Sequence, residues 1–175
     1  MFAIRRQWPG VAALFVRHLN VIAHHQLDSQ GQVRGHDIWE AGPATPDAVR
    51  KIEEAVGTSL PPSYVSFLLS HGSIVIHDTV VSGVTGGDQI RDGRGTALGD
   101  TDTLRSEGTL PAGFLVVGPH EDGGYCLDLD RRRPDAECPV VNYKMGSIQH
   151  EKPVADTFED WIVEFCLRAR SEEDA

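Results

Sequence analysis

Three strand-like segments, Phe114–Val117, Tyr125–Leu129 and Val140–Tyr143, follow one another with only turn signals between them. Gly118-Pro119, Gly123-Gly124 and Pro134-Asp135 supply those turns. Parallel strands need a crossover of a dozen or more residues, usually a helix, so connections this short favour antiparallel pairing. Helical patterns precede the run of strands and one helical pattern closes it. That order favours a single α+β domain, a largely antiparallel β-meander packed with about four helices, over alternating βαβ units. No internal repeat is visible.

The helices are marked by their punctuation. Pro9 suits the first turn of a helix reaching about Leu27, with Val11, Leu14, Phe15, Leu19 and Ile22 at helical spacing. A polar turn over 28–34 follows it. Thr45 is placed to cap a second helix, Pro46 fits its first position, and Asp47 suits its positive end. Ala48, Val49, Ile52, Ala55 and Val56 make its apolar stripe, and Gly57 stops it. Pro61-Pro62-Ser63 opens a third helix with Tyr64, Phe67 and Leu68 inward and His71-Gly72 at its end. Ser73–His77 and Thr79–Val81 read as strands. Thr157 with Asp160 approximates a capping box for the last helix, whose stripe is Phe158, Trp161, Ile162 and Phe165. Residues 1–39 thus form an N-terminal helix and turn, 40–168 the body, and 169–175 an acidic tail that frays.

The charge is unevenly spread. The 175 residues carry a formal net charge of −10. Residues 1–60 balance at six basic and six acidic groups, whereas 61–130 set three arginines against ten acids. That middle stretch contains the glycine-rich, loop-like segment Gly83–Gly108. A loop this long inside a compact domain is functional or mobile. The acidic balance argues against direct contact with nucleic acid, which demands a basic face, and permits a basic protein partner. No apolar run is long enough to span a membrane. The run Val11–Val16 is too short and too interrupted for a signal peptide, and three scattered cysteines give no disulfide framework. A cytoplasmic location is expected.

Motifs for chemistry are missing. Gly83–Gly99 lacks the G-K-[ST] of a phosphate loop. Asp100/Asp102 and Asp128/Asp130 lack the spacing of a calcium loop, and in a strand Asp128 and Asp130 would share a polar face with Cys126. His24-His25 diverge on a helix, while His18 and His25 share a face but have no second ligand pair at zinc spacing. Cys126 or Cys138 can be drawn with His120 as a nucleophile and base, although any chain so composed allows that drawing. No catalytic residue, metal or cofactor is assigned.

The order of segments resembles a known family. Ile52-Glu53-x-x-Val56-Gly57 is followed by Leu60-Pro61-x-x-Tyr64-x-x-Phe67-Leu68 and His71-Gly72. Leu110-Pro111-x-Gly113-Phe114-Leu115-x-x-Gly118, Gly123-Gly124-Tyr125-x-Leu127-Asp128, Cys138-Pro139-Val140-Val141-x-Tyr143 and Val154-Ala155-x-Thr157-Phe158-x-x-Trp161 come after it. This is similar to SUKH domains, the Smi–Knr superfamily of cell-wall regulators and bacterial immunity proteins, over roughly residues 40–168. His71-Gly72 stands where the family usually has Asn-Gly.

The resemblance implies one α+β domain without catalytic residues. It also implies a bacterial immunity protein that binds a cognate polymorphic toxin domain in the cytoplasm, often a nuclease, or else a regulatory interaction module without a toxin. The matching Tyr64, Phe67, Phe114, Leu127, Phe158 and Trp161 are expected in the core, and Asp128 either satisfies backbone donors or faces a partner. A toxin acting on nucleic acid needs a basic cleft, which an acidic face would complement. The acids expected on that face are Asp88, Asp92, Asp100, Asp102, Glu107, Glu121 and Asp122.

Overall fold

The computed structural model describes residues 38–76, 79–108, 110–146 and 153–171. They belong to the compact unit Asp37–Ala175, distinct from Met1–His36. The expected helix over 9–27, the turn over 28–34, the side chains of Phe165 and Cys166 and the end of the tail lie outside the described residues.

Helix α1, Pro46–Val56, starts as its punctuation requires: the Thr45 hydroxyl accepts from the Ala48 amide at 3.2 Å, and the helix stops at Gly57 with φ +74°. Asp47 bonds Lys51 at 2.9 Å and Arg50 at 2.5 Å, and those hydrogen bonds hold its carboxyl below the ordinary range. The buried stripe is narrower than its pattern. Ala48, Val49 and Ile52 are inside, but Ala55 is exposed and Val56 half-buried, because α1 covers the domain only along its first turns. Helix α2, Pro62–His71, has no cap from its own Pro61. Glu137, buried and 74 residues away, replaces it by accepting from the Ser63 amide at 2.9 Å and the Ser63 hydroxyl at 2.7 Å. A carboxylate there also meets the positive end of the helix dipole.

Seven strands form two antiparallel sheets. β1 (Ile38–Glu40), β2 (Ile74–Ile76) and β3 (Thr79–Val81) lie in that order; β4 (Phe114–His120), β5 (Gly123–Asp128), β6 (Val140–Lys144) and β7 (Pro153–Ala155) form the second meander. The register of β4 on β5 shifts between Val116 and Gly118. There the Val117 carbonyl accepts the Ser82 amide at 2.9 Å, linking the sheets just beyond β3.

The loop-like reading of residues 83–108 is corrected in its second half. Ala97–Glu107 is an α-helix, α3, with Leu98, Thr101 and Leu104 buried. Its apolar residues are few because it covers only one patch. Leu104 packs with Leu110, Phe114, Val116, Cys126, Val141 and Tyr143. The polar face expected for β5 around Cys126 and Asp128 is therefore a buried face, covered by α3. Asp128 itself is 5% exposed, and its carboxylate binds Arg131 at 2.5 Å, so it anchors the turn after β5.

On the opposite face of that sheet lies an aromatic cluster. Tyr64 and Phe67 of α2 meet Phe158 of α4 (Phe158–Ser171) at ring separations of 4.9 and 5.1 Å, and Phe158 in turn meets Trp161 at 5.6 Å. Thr157 accepts from the Asp160 amide at 3.0 Å and donates to its carboxylate at 2.8 Å, the expected capping arrangement with Asp in the place of Glu. Trp161 lies flat enough on β4 that a Cβ on Gly118 would stand 3.0 Å from its ring.

The tightest backbone crossing brings together the chain before α1, the end of α2 and the segment after β3. Gly72, at φ +70°, leaves no room for a side chain: a Cβ would lie 2.3 Å from the Gly42 carbonyl oxygen and 2.5 Å from that of Val84. A Cβ on Gly83 would lie 1.9 Å from the Gly72 oxygen. Only glycine fits at either position.

Candidate partner-binding surface

The segment between β3 and α3 is held at its base. The Gly83 amide donates to Gly95 O at 2.9 Å, and the Ala97 amide returns to Gly83 O at 2.8 Å. Asp100 reinforces the closure. Its Oδ2 accepts the Ser82 hydroxyl at 2.5 Å and the Gly95 amide at 3.0 Å. Asp100 is 7% exposed, and burial pushes its carboxyl above the ordinary range against the opposing pull of those two hydrogen bonds. It therefore leaves the acidic face expected from sequence: its carboxylate is spent on closing the loop.

The other six acids reach the surface at different places. Asp88, at φ +58°, is exposed but accepts from the Thr45 amide at 3.2 Å and hydroxyl at 2.9 Å, tying the loop to the start of α1. Asp92 is exposed near the loop tip. Asp102, half-buried on α3, pairs with Arg91 at 2.7 Å. Glu107 is exposed in the last turn of α3, and Glu121 and Asp122 form the exposed turn between β4 and β5. These last three come to one end of the molecule. Met145 donates its amide to Asp122 O at 2.8 Å, and its Cγ stands 3.6 Å from where a Gly108 Cβ would be. α3, the helix missing from the sequence reading, positions Asp102 and Glu107, while Asp88 and Asp92 stand in the loop before it and Glu121 and Asp122 in the β4–β5 turn.

The three arginines of the middle segment have separate fates. Arg91 is neutralised by Asp102, and Arg105 donates to the carbonyls of Ala112 at 2.9 Å and Phe114 at 3.2 Å. Arg94 is exposed and makes no ion pair among the described residues.

The drawing of a cysteine nucleophile with His120 fails for Cys126 on geometry. In the β4–β5 register, His120 stands opposite Gly123, on the face of Tyr125 and Asn142; Cys126 points through the other face, between Val116 and Val141. His120 Nε2 meets Asn142 Oδ1 at 3.0 Å. Burial raises the Cys126 thiol far out of the reactive range and pushes the Cys138 thiol up to about 12. Among the described residues no three His, Cys, Asp or Glu side chains gather as a metal site would require, and no helix is long and apolar enough to cross a membrane.

A feature the sequence reading passes over lies on the smaller sheet. Trp39, Val75 and Val80 are direct cross-strand neighbours on β1, β2 and β3. They line an open groove of about 420 Å³, completed by Ser73, Thr85, Arg94 and Gly95. Trp39 is 49% exposed, the most exposed large apolar side chain among the described residues. The available sequence signal is the alternation Ile38-Trp39-Glu40, too short to identify a strand by itself.

The fold order and the sequence agree with what is found among known proteins. The SUKH_5 family model, described as SMI1-KNR4 cell-wall, matches residues 26–167. The uncharacterized protein YnaB of Bacillus subtilis (strain 168) is 22% identical over 124 residues, which cover 69% of this chain and 74% of that protein. With the greater part of its length matched, the chain belongs to the SUKH_5 family of SMI1-KNR4 cell-wall type.

Proposed function

We propose that this chain is an immunity protein that binds and neutralises a cognate polymorphic toxin domain, one directed at nucleic acid, by non-covalent and partly electrostatic occlusion. The observation that carries the reading is the exposure of Asp92 in the loop before α3, Glu107 in the last turn of α3, and Glu121 and Asp122 in the β4–β5 turn, with Asp102 on α3 paired to Arg91. Such a rail suits a basic cleft that has evolved to hold a phosphate backbone. It acts as a binding protein in the cytoplasm and not as an enzyme. The buried thiols and the separation of Cys126 from His120 support that part of the reading.

The test is co-expression with the toxin domain encoded beside it. Restored growth and a co-purifying complex are expected; a toxin that kills equally with and without this chain would sink the proposal. A second reading, a regulatory interaction module without a toxin, draws on the cell-wall description of the matching family model. Absence of any toxin gene beside this one would favour it.

A further inference from the structure

The groove on the smaller sheet combines features that the acidic rail does not explain. Its apolar row runs straight across three strands, from half-exposed Trp39 through partly buried Val75 to Val80, which is 6% exposed. A sheet face left to water is normally polar, so an exposed Trp39 beside a half-buried Val75, with Val80 closing the row under the Gly95 loop, requires a reason. The opposite face of the same strands already supplies the core, through Ile74 and Val81 at 0% exposure.

The second feature is charge. Arg94 is the charged residue lining the groove; within the described residues it acts on the buried Asp100 carboxylate at longer range but forms no direct ion pair. The protein carries ten more acids than bases, and the two neighbouring arginines of the segment are engaged by Asp102 and by carbonyls. An exposed cation with no carboxylate in direct contact, beside an apolar floor, creates a local field opposite to that of the surrounding surface. The position of Arg94 is also fixed. Gly95, at φ +86°, turns the chain back so that its Cβ position stands 3.4 Å from Ser73 Oγ and from Val80 Cγ1. Asp100 and Gly83 then hold both polar groups of the Gly95 backbone. The arginine thus projects from a loop already ordered, which lowers the entropy lost on binding.

We propose that this groove is a docking site for an extended protein segment that presents a carboxylate side chain next to a large apolar one. The apolar side chain lies on Val75 against the Trp39 indole, with Val80 at the closed end of the groove, and the carboxylate pairs with the Arg94 guanidinium. A fork-shaped donor favours a planar carboxylate acceptor, and a lysine on the incoming segment is repelled. The site is separate from the acidic rail, and the proposal does not rest on the toxin reading.

The test uses the full chain and three probe peptides, acetyl-Leu-Phe-Glu-Leu-amide and its Gln and Lys counterparts, followed by amide and indole NMR shifts. Saturable shifts are expected at the Trp39 indole N–H and at the Val75, Val80 and Gly95 amides, within about 5 mM of the Glu peptide, a range suited to weak single-segment contacts. The Gln peptide should bind about fivefold more weakly, the scale of one exposed ion pair, and the Lys peptide more weakly still. Arg94→Gln should remove the Glu-over-Gln preference while leaving apolar binding, and Trp39→Ala should abolish both. These side chains are exposed, so both variants keep the fold, checked by unchanged shifts of core amides. Equal binding of the Glu and Gln peptides, shifts mapping elsewhere, or no saturation would overturn the proposal. So would concentration-dependent shifts at the same residues without peptide, which would assign the groove to a second copy of the chain.

Discussion

Ser82 donates its hydroxyl to Asp100 at 2.5 Å, and the same residue gives its amide to Val117 and its carbonyl to the Tyr64 hydroxyl. One serine with 0% exposure thereby connects the end of β3 to α3, β4 and α2. Buried polar networks of this kind are stable only when every member is satisfied. Asp100→Ala leaves the Ser82 hydroxyl and the Gly95 amide unpaired, with an expected loss of about 1–3 kcal/mol in denaturant unfolding.

The charge on Asp100 has its own signature. Its carboxyl titrates above the ordinary 3.8 in the folded protein, mainly because burial disfavours the anion. The folded state therefore holds the proton more tightly than the unfolded chain. This contribution to stability is fully present below the unfolded value and is lost as pH rises through the folded one. Asp100→Asn keeps an acceptor for both bonds without the charge. Its stability relative to the parent should rise as pH increases from about 4 toward neutrality. A difference that stays flat across that range in urea titrations would contradict the assignment.

Gly72 and Gly83 should tolerate no side chain. Gly83→Ala drives a methyl into the Gly72 carbonyl, whose oxygen is 1.9 Å from the Cβ position. Backbone on both sides has no rotamer to yield. The expected cost is at least about 2–3 kcal/mol, with loss of soluble protein the visible result. Gly86→Ala, where nothing lies within 4 Å, is the matched control and should leave the melting temperature nearly unchanged.

The remote cap on α2 can be removed without touching the helix. Glu137→Ala deletes the acceptor for the Ser63 amide and hydroxyl, and a loss of about 1–3 kcal/mol is expected from thermal or urea unfolding. Ser63→Ala in the Glu137→Ala background should cost much less than in the parent, because the two act as one unit. Additive effects in that double-mutant cycle would refute the coupling.

Thiol chemistry offers a direct check on Cys126 and Cys138. In a Cys166→Ser background, Ellman's reagent should find no reactive thiol in the native protein at neutral pH and two after denaturation. Rapid labelling before unfolding would show that one of these sites is open.

Neutralising Asp92, Glu107, Glu121 and Asp122 together should slow association with the toxin domain by about tenfold or more at low salt and flatten the salt dependence. Dissociation should change less. Unaltered association kinetics, measured by surface plasmon resonance, would remove the electrostatic part of the proposed function.

Local signals in the sequence identified the elements whose causes are local. Thr45, Pro46 and Gly57 mark α1, and Thr157 with Asp160 marks α4, because these two helices, unlike α2, are capped from within their own first turn. The β4–β6 meander was legible because its turn signals are local as well. α3 was not: Gly99, Thr101 and Thr103 lower its propensity, and its stability comes from Leu104 on the β5 face and from the bond of Asp100 to Ser82, both contacts between distant parts of the chain. The same misreading placed Asp100 at the surface, since a carboxylate looks alike in sequence whether it faces water or a buried hydroxyl. The groove was hidden for another reason. β1 and β2 are three residues each, and the row Trp39–Val75–Val80 exists only once their register is known.

The paired bonds between Gly83 and the Gly95–Ala97 segment act as a clasp, and what lies inside a clasp can change without disturbing what lies outside it. Gly86 and Gly87 stand in open space at the tip, so the residues around them can change length or sign at little cost to the core, while Ile90 and Gly93 stay bonded to the start of α3. Asp88, Asp92 and Arg94 all sit inside the clasp. The charge this segment offers to a partner is thus set apart from the glycine crossing, the serine junction and both sheets, which lie outside the clasp.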